Sequence, residues 1–318
     1  TNIVKVAIAL GLSILLKKTF VWGKPFILTI EPTVSCNLRC PQCLAGLGKI
    51  ERFESFMPFE LYKHIIDYYG KDIWYLLLYN QGEPFLHNRL IHFIRLAKEK
   101  RIYVTVSTNG HFFREEKFVE QLILSGIDSI IISLDGADAV TYSRYRQGGN
   151  FDQVCQGIKN VIITRRKLRK KTPLIFLQFL IMRHNEHQLE DIQKLRKSLG
   201  ADRILFKTMQ IEDFSTAQHY LPTDQKWQRY HIEGNSLKLI KLAYRCDRLW
   251  YSTVILSDGR IVPCCFDKNG KYSFGNIKTE PLNKIWTSHA YRKFRQRVIQ
   301  NRYKIEICRN CSQNQKIF

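Results

Sequence analysis

Apolar residues recur along this chain in two alternating patterns. Short apolar runs read as strands at 25–30, 74–79, 103–107, 129–133, 174–182 and 203–207. Helical spacing fills 59–69, 89–100, 115–125, 151–169 and 186–199 between them, with Gly126 placed to cap the third. Six β/α units in this order predict an α/β protein built on a parallel sheet with helices outside, a partial barrel of the (β/α)6 type. Such sheets bind ligands at the carboxyl ends of their strands. Those ends carry a cysteine loop, then Gly82-Glu83-Pro84, Ser107-Thr108-Asn109-Gly110 and Ser133-Leu134-Asp135-Gly136.

Residues 6–16 form an eleven-residue, mostly apolar run with Ser13 its one hydroxyl, bounded by Lys5 and Lys17-Lys18. That is shorter than the roughly twenty residues a spanning helix needs. No small-residue cleavage site follows, so a signal peptide is not expected. An interfacial helix on an anionic membrane surface is one expectation, and a helix packed on the core is the other.

The formal charge is +22, and residues 241–318 supply half of it, with sixteen Lys and Arg against five acids. A second basic run spans Arg165 to Lys171. Such a field attracts acidic proteins or anionic surfaces. No recognised nucleic-acid motif accompanies it, and nucleic acid is not expected as a partner. An apolar fraction of 45 % with 12 % aromatics excludes a disordered chain.

Eight of the nine cysteines cluster towards the two ends of the chain, which fits metal ligation in a reducing, cytoplasmic setting better than disulfides. Cys155 stands alone and reads as a buried thiol. Cys36, Cys40 and Cys43 stand in C-x3-C-x2-C spacing. Three thiolates close three irons of a cubane and leave the fourth open to an outside ligand. A zinc site using Cys40 and Cys43 is the competing reading. The spacing resembles the signature of radical S-adenosylmethionine (SAM) enzymes. That resemblance implies a [4Fe–4S] cluster whose open iron chelates SAM, with reductive cleavage to methionine and a 5′-deoxyadenosyl radical.

The strand-end loops extend the resemblance. Gly82 and Glu83 are similar to the family's GGEP loop, which holds the SAM amino group, although Gln81 stands where a first glycine is usual. Ser107, Thr108 and Asn109, then Ser133 and Asp135, occupy positions suited to the methionine carboxylate and the ribose. Arg146, near Tyr142 and Arg144, could pair with the SAM carboxylate. Gln42 replaces the aromatic residue usual before the third cysteine. Each loop alone is also ordinary turn chemistry.

Cys246, Cys264, Cys265, Cys308 and Cys311 fill the last quarter, with Asp258-Gly259 as a hairpin turn before the tandem pair. This stretch resembles the SPASM or twitch domain that follows many radical SAM barrels. The resemblance implies one auxiliary [4Fe–4S] cluster on Cys246, Cys264, Cys308 and Cys311. The choice of Cys264 over Cys265 assumes that neighbours on a strand face opposite sides. A zinc ribbon is the alternative.

The expected organisation is an N-terminal helix over 1–24, a radical SAM core over 25–235 and a small α+β cluster domain over 236–318. The expected activity is oxidation or modification of a peptide, sugar or aminocyclitol-type substrate. An acidic electron donor such as flavodoxin or ferredoxin is the expected partner. Gln178, Lys207 and Gln210 are candidates for substrate contact. The rival is a non-catalytic zinc or iron–sulfur module presenting a basic surface.

Overall fold

A computed structural model describes residues 1–52, 55–211, 214–240 and 245–311. After helix α1 (Asn2–Leu16), six strands alternate with helices: β1 (Ile27–Ile30), α2 (Phe59–Tyr69), β2 (Tyr75–Leu77), α3 (Leu90–Glu99), β3 (Tyr103–Thr108), α4 (Glu116–Leu124), β4 (Ser129–Ser133), α5 (Ala139–Tyr145), α6 (Phe151–Lys167), β5 (Leu174–Ile181), α7 (Leu189–Leu199) and β6 (Arg203–Thr208). The six strands lie parallel in sequential order. Ile30, Leu76, Val104, Val106, Ile130 and Ile132 are fully buried in the core. The periodicity located all six strands to within two or three residues at either end, because half-buried parallel strands are dense in β-branched residues.

Helix α5 was not anticipated. It has seven residues, too few to display a period, and is set by its cap: Asp138 accepts a 2.8 Å hydrogen bond from the Thr141 amide. Gly126 does close α4, with φ of 84° just past the last turn.

The remaining elements are α8 (Phe214–Tyr220), the hairpin β7 (Tyr230–Glu233) and β8 (Ser236–Leu239), the hairpin β9 (Ser252–Ile255) and β10 (Ile261–Val262), α9 (Leu282–Trp286), α10 (His289–Asn301) and α11 (Glu306–Arg309). The Asp258-Gly259 turn joins β9 to β10 as expected, with Gly259 at φ 87°. Its placement is the surprise. Strand β9 pairs in parallel with β1, Ile27 to Ser252 through Ile30 to Ile255, so the hairpin extends the core sheet. Pairing satisfies the backbone groups that β1 would otherwise leave open.

Side chains from the C-terminal helices lock this junction. Trp286 Nε1 donates to Gly23 O at 2.9 Å. Arg295, fully buried, packs against the Trp286 and Tyr291 rings and donates to Leu249 O and Trp286 O, each at 2.8 Å. Burial pushes its pKa down to about 10.

Candidate active site and auxiliary cysteine centre

The loop after β1 carries Cys36, Cys40 and Cys43, with Cys40 buried and the other two half-buried. Backbone turns shape it, the Cys43 amide donating to Cys40 O at 3.1 Å. The Leu38 amide points at Cys36 Sγ, 3.5 Å away. Burial pushes the Cys36 thiol up to about 11, with Glu83, Cys43 and Cys40 adding to the rise. Burial also raises Cys40, while Arg146 opposes it. Thiols held this way release their protons when a metal takes them.

The Gly82-Glu83-Pro84 loop crosses behind the cysteine loop. The Glu83 amide donates to Ser35 O at 2.8 Å. Gly82 has φ of 73°, and a Cβ there would lie 2.5 Å from Thr33 O, so only glycine allows the crossing. The Glu83 carboxylate is buried and accepts from the Asn109 amide (2.7 Å), Thr108 Oγ1 (2.8 Å) and the Phe85 amide (3.1 Å). Burial pushes it up to about 7 in spite of these bonds. Asn109 Nδ2 then reaches Asn37 Oδ1 at 2.7 Å. The strand-end loops after β2 and β3 thus brace the cysteine loop directly.

Asp135 and Arg146, expected to contact separate parts of SAM, are paired with each other. Arg146 Nε donates to Asp135 Oδ2 at 2.6 Å, and Asp135 Oδ1 accepts the Leu180 amide at 2.7 Å. Both carboxylate oxygens are therefore engaged within the protein. Arg146 Nη1 lies 3.9 Å from Cys40 Sγ. Burial works against its charge, yet Asp135 and Cys40 hold its pKa above the ordinary value. Tyr142 Oη is buried beside this pair without a hydrogen-bond partner among the described residues. Ser133 is buried and Ser107 half-buried on the neighbouring strand ends.

A buried ion pair that sequence reasoning missed anchors the other side of the loop. Glu31, directly after β1, pairs with Arg52, both side chains fully buried. Glu31 also accepts from Asn80 Nδ2 (2.8 Å), the Gln81 amide (3.2 Å) and the Ser257 amide (3.2 Å). It ties the cysteine loop, the Gly-Glu-Pro loop and the β9–β10 hairpin to one carboxylate. An acid ending a buried strand was the signal available. The Gln81 amide, at the departure from the usual double glycine, turns inward to this group.

At the second centre, Cys246, Cys264, Cys265, Cys308 and Cys311 come within electrostatic reach of one another. Burial raises the thiols of Cys246, Cys264, Cys265 and Cys308, Cys308 to about 12 and Cys264 well above the usual value. Cations face them: Arg248 and Lys268 act on Cys265, and Arg302 acts on Cys246 and, with Arg297, on Cys308. Arg302 is buried, and its Nε and Nη2 have no hydrogen-bond partner among the described residues. Unpartnered guanidinium nitrogens beside clustered thiols fit an anionic iron–sulfur group.

The geometric reason for preferring Cys264 over Cys265 fails. Strand β10 ends at Val262, and the tandem pair sits in a turn closed by Asp267 N to Cys264 O at 3.1 Å. Strand alternation does not operate there, and both thiols lie near Cys311. Among the described residues no three His, Cys, Asp or Glu side chains are placed to hold a single metal ion.

Between the two cysteine regions lies a cavity of about 730 Å³. Leu44 and Glu51 line it from the cysteine loop, Gln210 from the end of β6, and Arg260, Phe266 and Asn310 from the C-terminal region. Of the three substrate-contact candidates, Gln210 reaches this cavity, while Gln178 and Lys207 are absent from its lining.

A parallel β/α sheet with an open trithiolate loop at its carboxyl edge, followed by a second cysteine centre, defines a SAM-cleaving iron–sulfur enzyme. A family model for the radical SAM superfamily matches residues 30–195, and one for SPASM, an iron–sulfur cluster-binding domain, matches 246–312. The chain belongs to the radical SAM superfamily and is an enzyme of the SPASM-containing kind, using SAM, a [4Fe–4S] cluster and auxiliary iron–sulfur chemistry. It is 28 % identical over 318 aligned positions to the tungsten-containing aldehyde ferredoxin oxidoreductase cofactor-modifying protein of Pyrococcus furiosus, covering 90 % of this chain and 86 % of that one. It is 24 % identical to the AdoMet-dependent heme synthase of Methanosarcina barkeri, covering 85 % of each. Among solved structures, BtrN in complex with AdoMet and 2-DOIA shares the fold at a TM-score of 0.56 and 19 % identity, over 92 % of this chain and 94 % of that one. SuiB of Streptococcus suis bound to S-adenosylmethionine gives 0.63 and 17 %, over 86 % and 68 %. This membership displaces the non-catalytic module as a reading.

Proposed function

We propose that the protein oxidises or rearranges a polar small molecule held in the cavity between its two cysteine centres. Cys36, Cys40 and Cys43 hold the SAM-binding cluster in this reading, and Cys246, Cys264, Cys308 and Cys311 hold one auxiliary cluster. When bound, cluster and SAM together supply a 5′-deoxyadenosyl radical for hydrogen abstraction. Glu83 and Gly82 set the loop against which the SAM amino group lies. Ser107, Thr108, Asn109 and Ser133 offer polar groups along the strand ends. The Asp135–Arg146 pair fixes a guanidinium beside Cys40, where it balances thiolate charge. The radical SAM core spans 25–235 and the auxiliary domain 236–318, with the β9–β10 hairpin as their shared sheet edge.

The observation carrying the substrate reading is the cavity lining. It touches the residue after Cys43, the residue after Cys265 and the residues before Cys308 and Cys311, which sets it beside both loops that carry cysteines. Glu51, Asp267, Glu306, Arg260, Lys268 and Lys271 all line it, Lys271 paired with Glu306, which suits a polar, mixed-charge substrate. The related cofactor-modifying protein and heme synthase favour a cofactor-type small molecule over a peptide. An acidic carrier such as flavodoxin or ferredoxin delivers the electron, drawn by the basic surface.

Anaerobic reconstitution tests this. About eight irons per chain and slow release of 5′-deoxyadenosine with dithionite and SAM are expected. Gln210→Ala and Arg260→Ala are expected to leave that uncoupled release intact and to abolish its acceleration by substrate. Stoichiometric zinc with iron near zero would sink the reading.

A further inference from the structure

Helix α1 is built inside out. Its buried side is Val6, Ala9 and Ser13, and the Ser13 hydroxyl is satisfied there, donating to Ala9 O (2.6 Å) and accepting the Phe20 amide (2.9 Å). Its outward side is apolar: Val4, Ala7, Ile8, Gly11, Ile14 and Leu15 are all exposed, Leu15 at 76 % and Ile8 at 49 %. Trp22, just beyond the helix, is 52 % exposed. A helix that is apolar all round belongs in an apolar surrounding, and water is the wrong one.

The charges around that face indicate what covers it. No acid precedes Glu31 in the chain, whereas Lys5, Lys17 and Lys18 border the helix and are exposed. Helix α10 lies alongside, with Gln296 bonded to Lys17 O (2.9 Å) and to Thr19 Oγ1 (3.0 Å). One turn away on α10 stand Arg292 and Lys293, both exposed, and α10 carries no acid at all. An apolar face rimmed by lysine and arginine, with a tryptophan at its edge, is complementary to an anionic bilayer surface. No described helix is long and apolar enough to cross a membrane.

We infer that the protein docks on anionic membranes through the outward face of α1 and Trp22, with Lys5, Lys17, Lys18, Arg292 and Lys293 meeting the headgroups. Leu10, half-buried, and Ile14, at the margin of the outward face, line a cavity of about 120 Å³ together with Lys17, Cys246, Trp250, Val298 and Ile299. Cys246 therefore lies on the α1 side of the molecule, beside the docked face.

Co-sedimentation of the full chain with vesicles tests this without reference to SAM or iron. Vesicles with a third phosphatidylglycerol are expected to bind it, neutral phosphatidylcholine vesicles much less, and added salt to weaken the binding. Ile8→Ser with Leu15→Ser, both exposed, is expected to lower binding at least about tenfold while leaving the melting temperature unchanged. Lys17→Glu with Lys18→Glu is expected to flatten the salt dependence. Equal binding to neutral vesicles, or binding untouched by the serine pair, would overturn the inference. So would a lipid-free dimer in sedimentation velocity that the serine pair dissolves, because a second copy would then be the cover.

Discussion

The two cysteine regions solve different problems with similar residues. The front trio sits on one loop, Cys40 buried and Cys36 and Cys43 half-buried, with the Arg146 guanidinium beside Cys40 and already paired to Asp135. The rear five come from three stretches of chain and face Arg248 and a buried Arg302 whose Nε and Nη2 have no hydrogen-bond partner among the described residues. The front is braced from behind by Glu83 and Glu31, while the rear draws cations towards its thiols. One is arranged to admit a reactant to its metal, the other to hold charge away from water.

The sharpest break of that comparison removes one set at a time. Replacing Cys36, Cys40 and Cys43 by alanine is expected to halve the iron and stop 5′-deoxyadenosine release entirely. Cys308→Ala is expected to cost the other half of the iron while release persists. Cys264→Ala and Cys265→Ala separate the tandem pair by the same iron count. If Cys308→Ala also stops release, the centres are not independent.

Asp135→Asn probes the front alone. It leaves Arg146 largely buried beside a neutral partner, and a loss of about 3–5 kcal/mol in urea unfolding is expected. The iron of the rear centre should survive. A loss under about 1 kcal/mol would show that the pair is dispensable scaffolding.

Glu83 gives a pH signature. Its carboxyl is raised from the usual 4.5 to about 7, so the folded chain binds a proton there that the unfolded chain has released. Stability of the SAM-free chain is therefore expected to fall as pH rises from about 4.5 to 7, by on the order of 3 kcal/mol. Glu83→Gln removes that slope. A slope unchanged in the variant would assign it to another group.

Ser133→Ala is the mildest change. Losing one hydroxyl contact to SAM is expected to weaken its binding by about 0.5–1.5 kcal/mol, read by calorimetry on reconstituted protein. Unchanged affinity would place the ribose contacts elsewhere on the rim.

Much of the front site was legible because it is local. Cys36, Cys40 and Cys43 share one loop, and Gly82, Glu83 and Asn109 follow strands whose apolar runs announce them. What Glu83 does was not legible, since it depends on Thr108 and Asn109 arriving from the next strand. The Asp135–Arg146 pairing and the Glu31–Arg52 pair were hidden for the same reason. Each joins residues from separate elements, and sequence shows a charge without showing its partner.

The sequence by itself determined the six β/α units, the parallel sheet and the loops that carry chemistry, because strand and helix periods and turn residues act over a few positions. Tertiary structure alone decided that β9 seats against β1, that the tandem cysteines lie in a turn past β10, and that α1 turns Ser13 inward and Ile8 and Leu15 out. Those outcomes depend on which surfaces meet, and burial is a property of the assembled chain that no local pattern encodes.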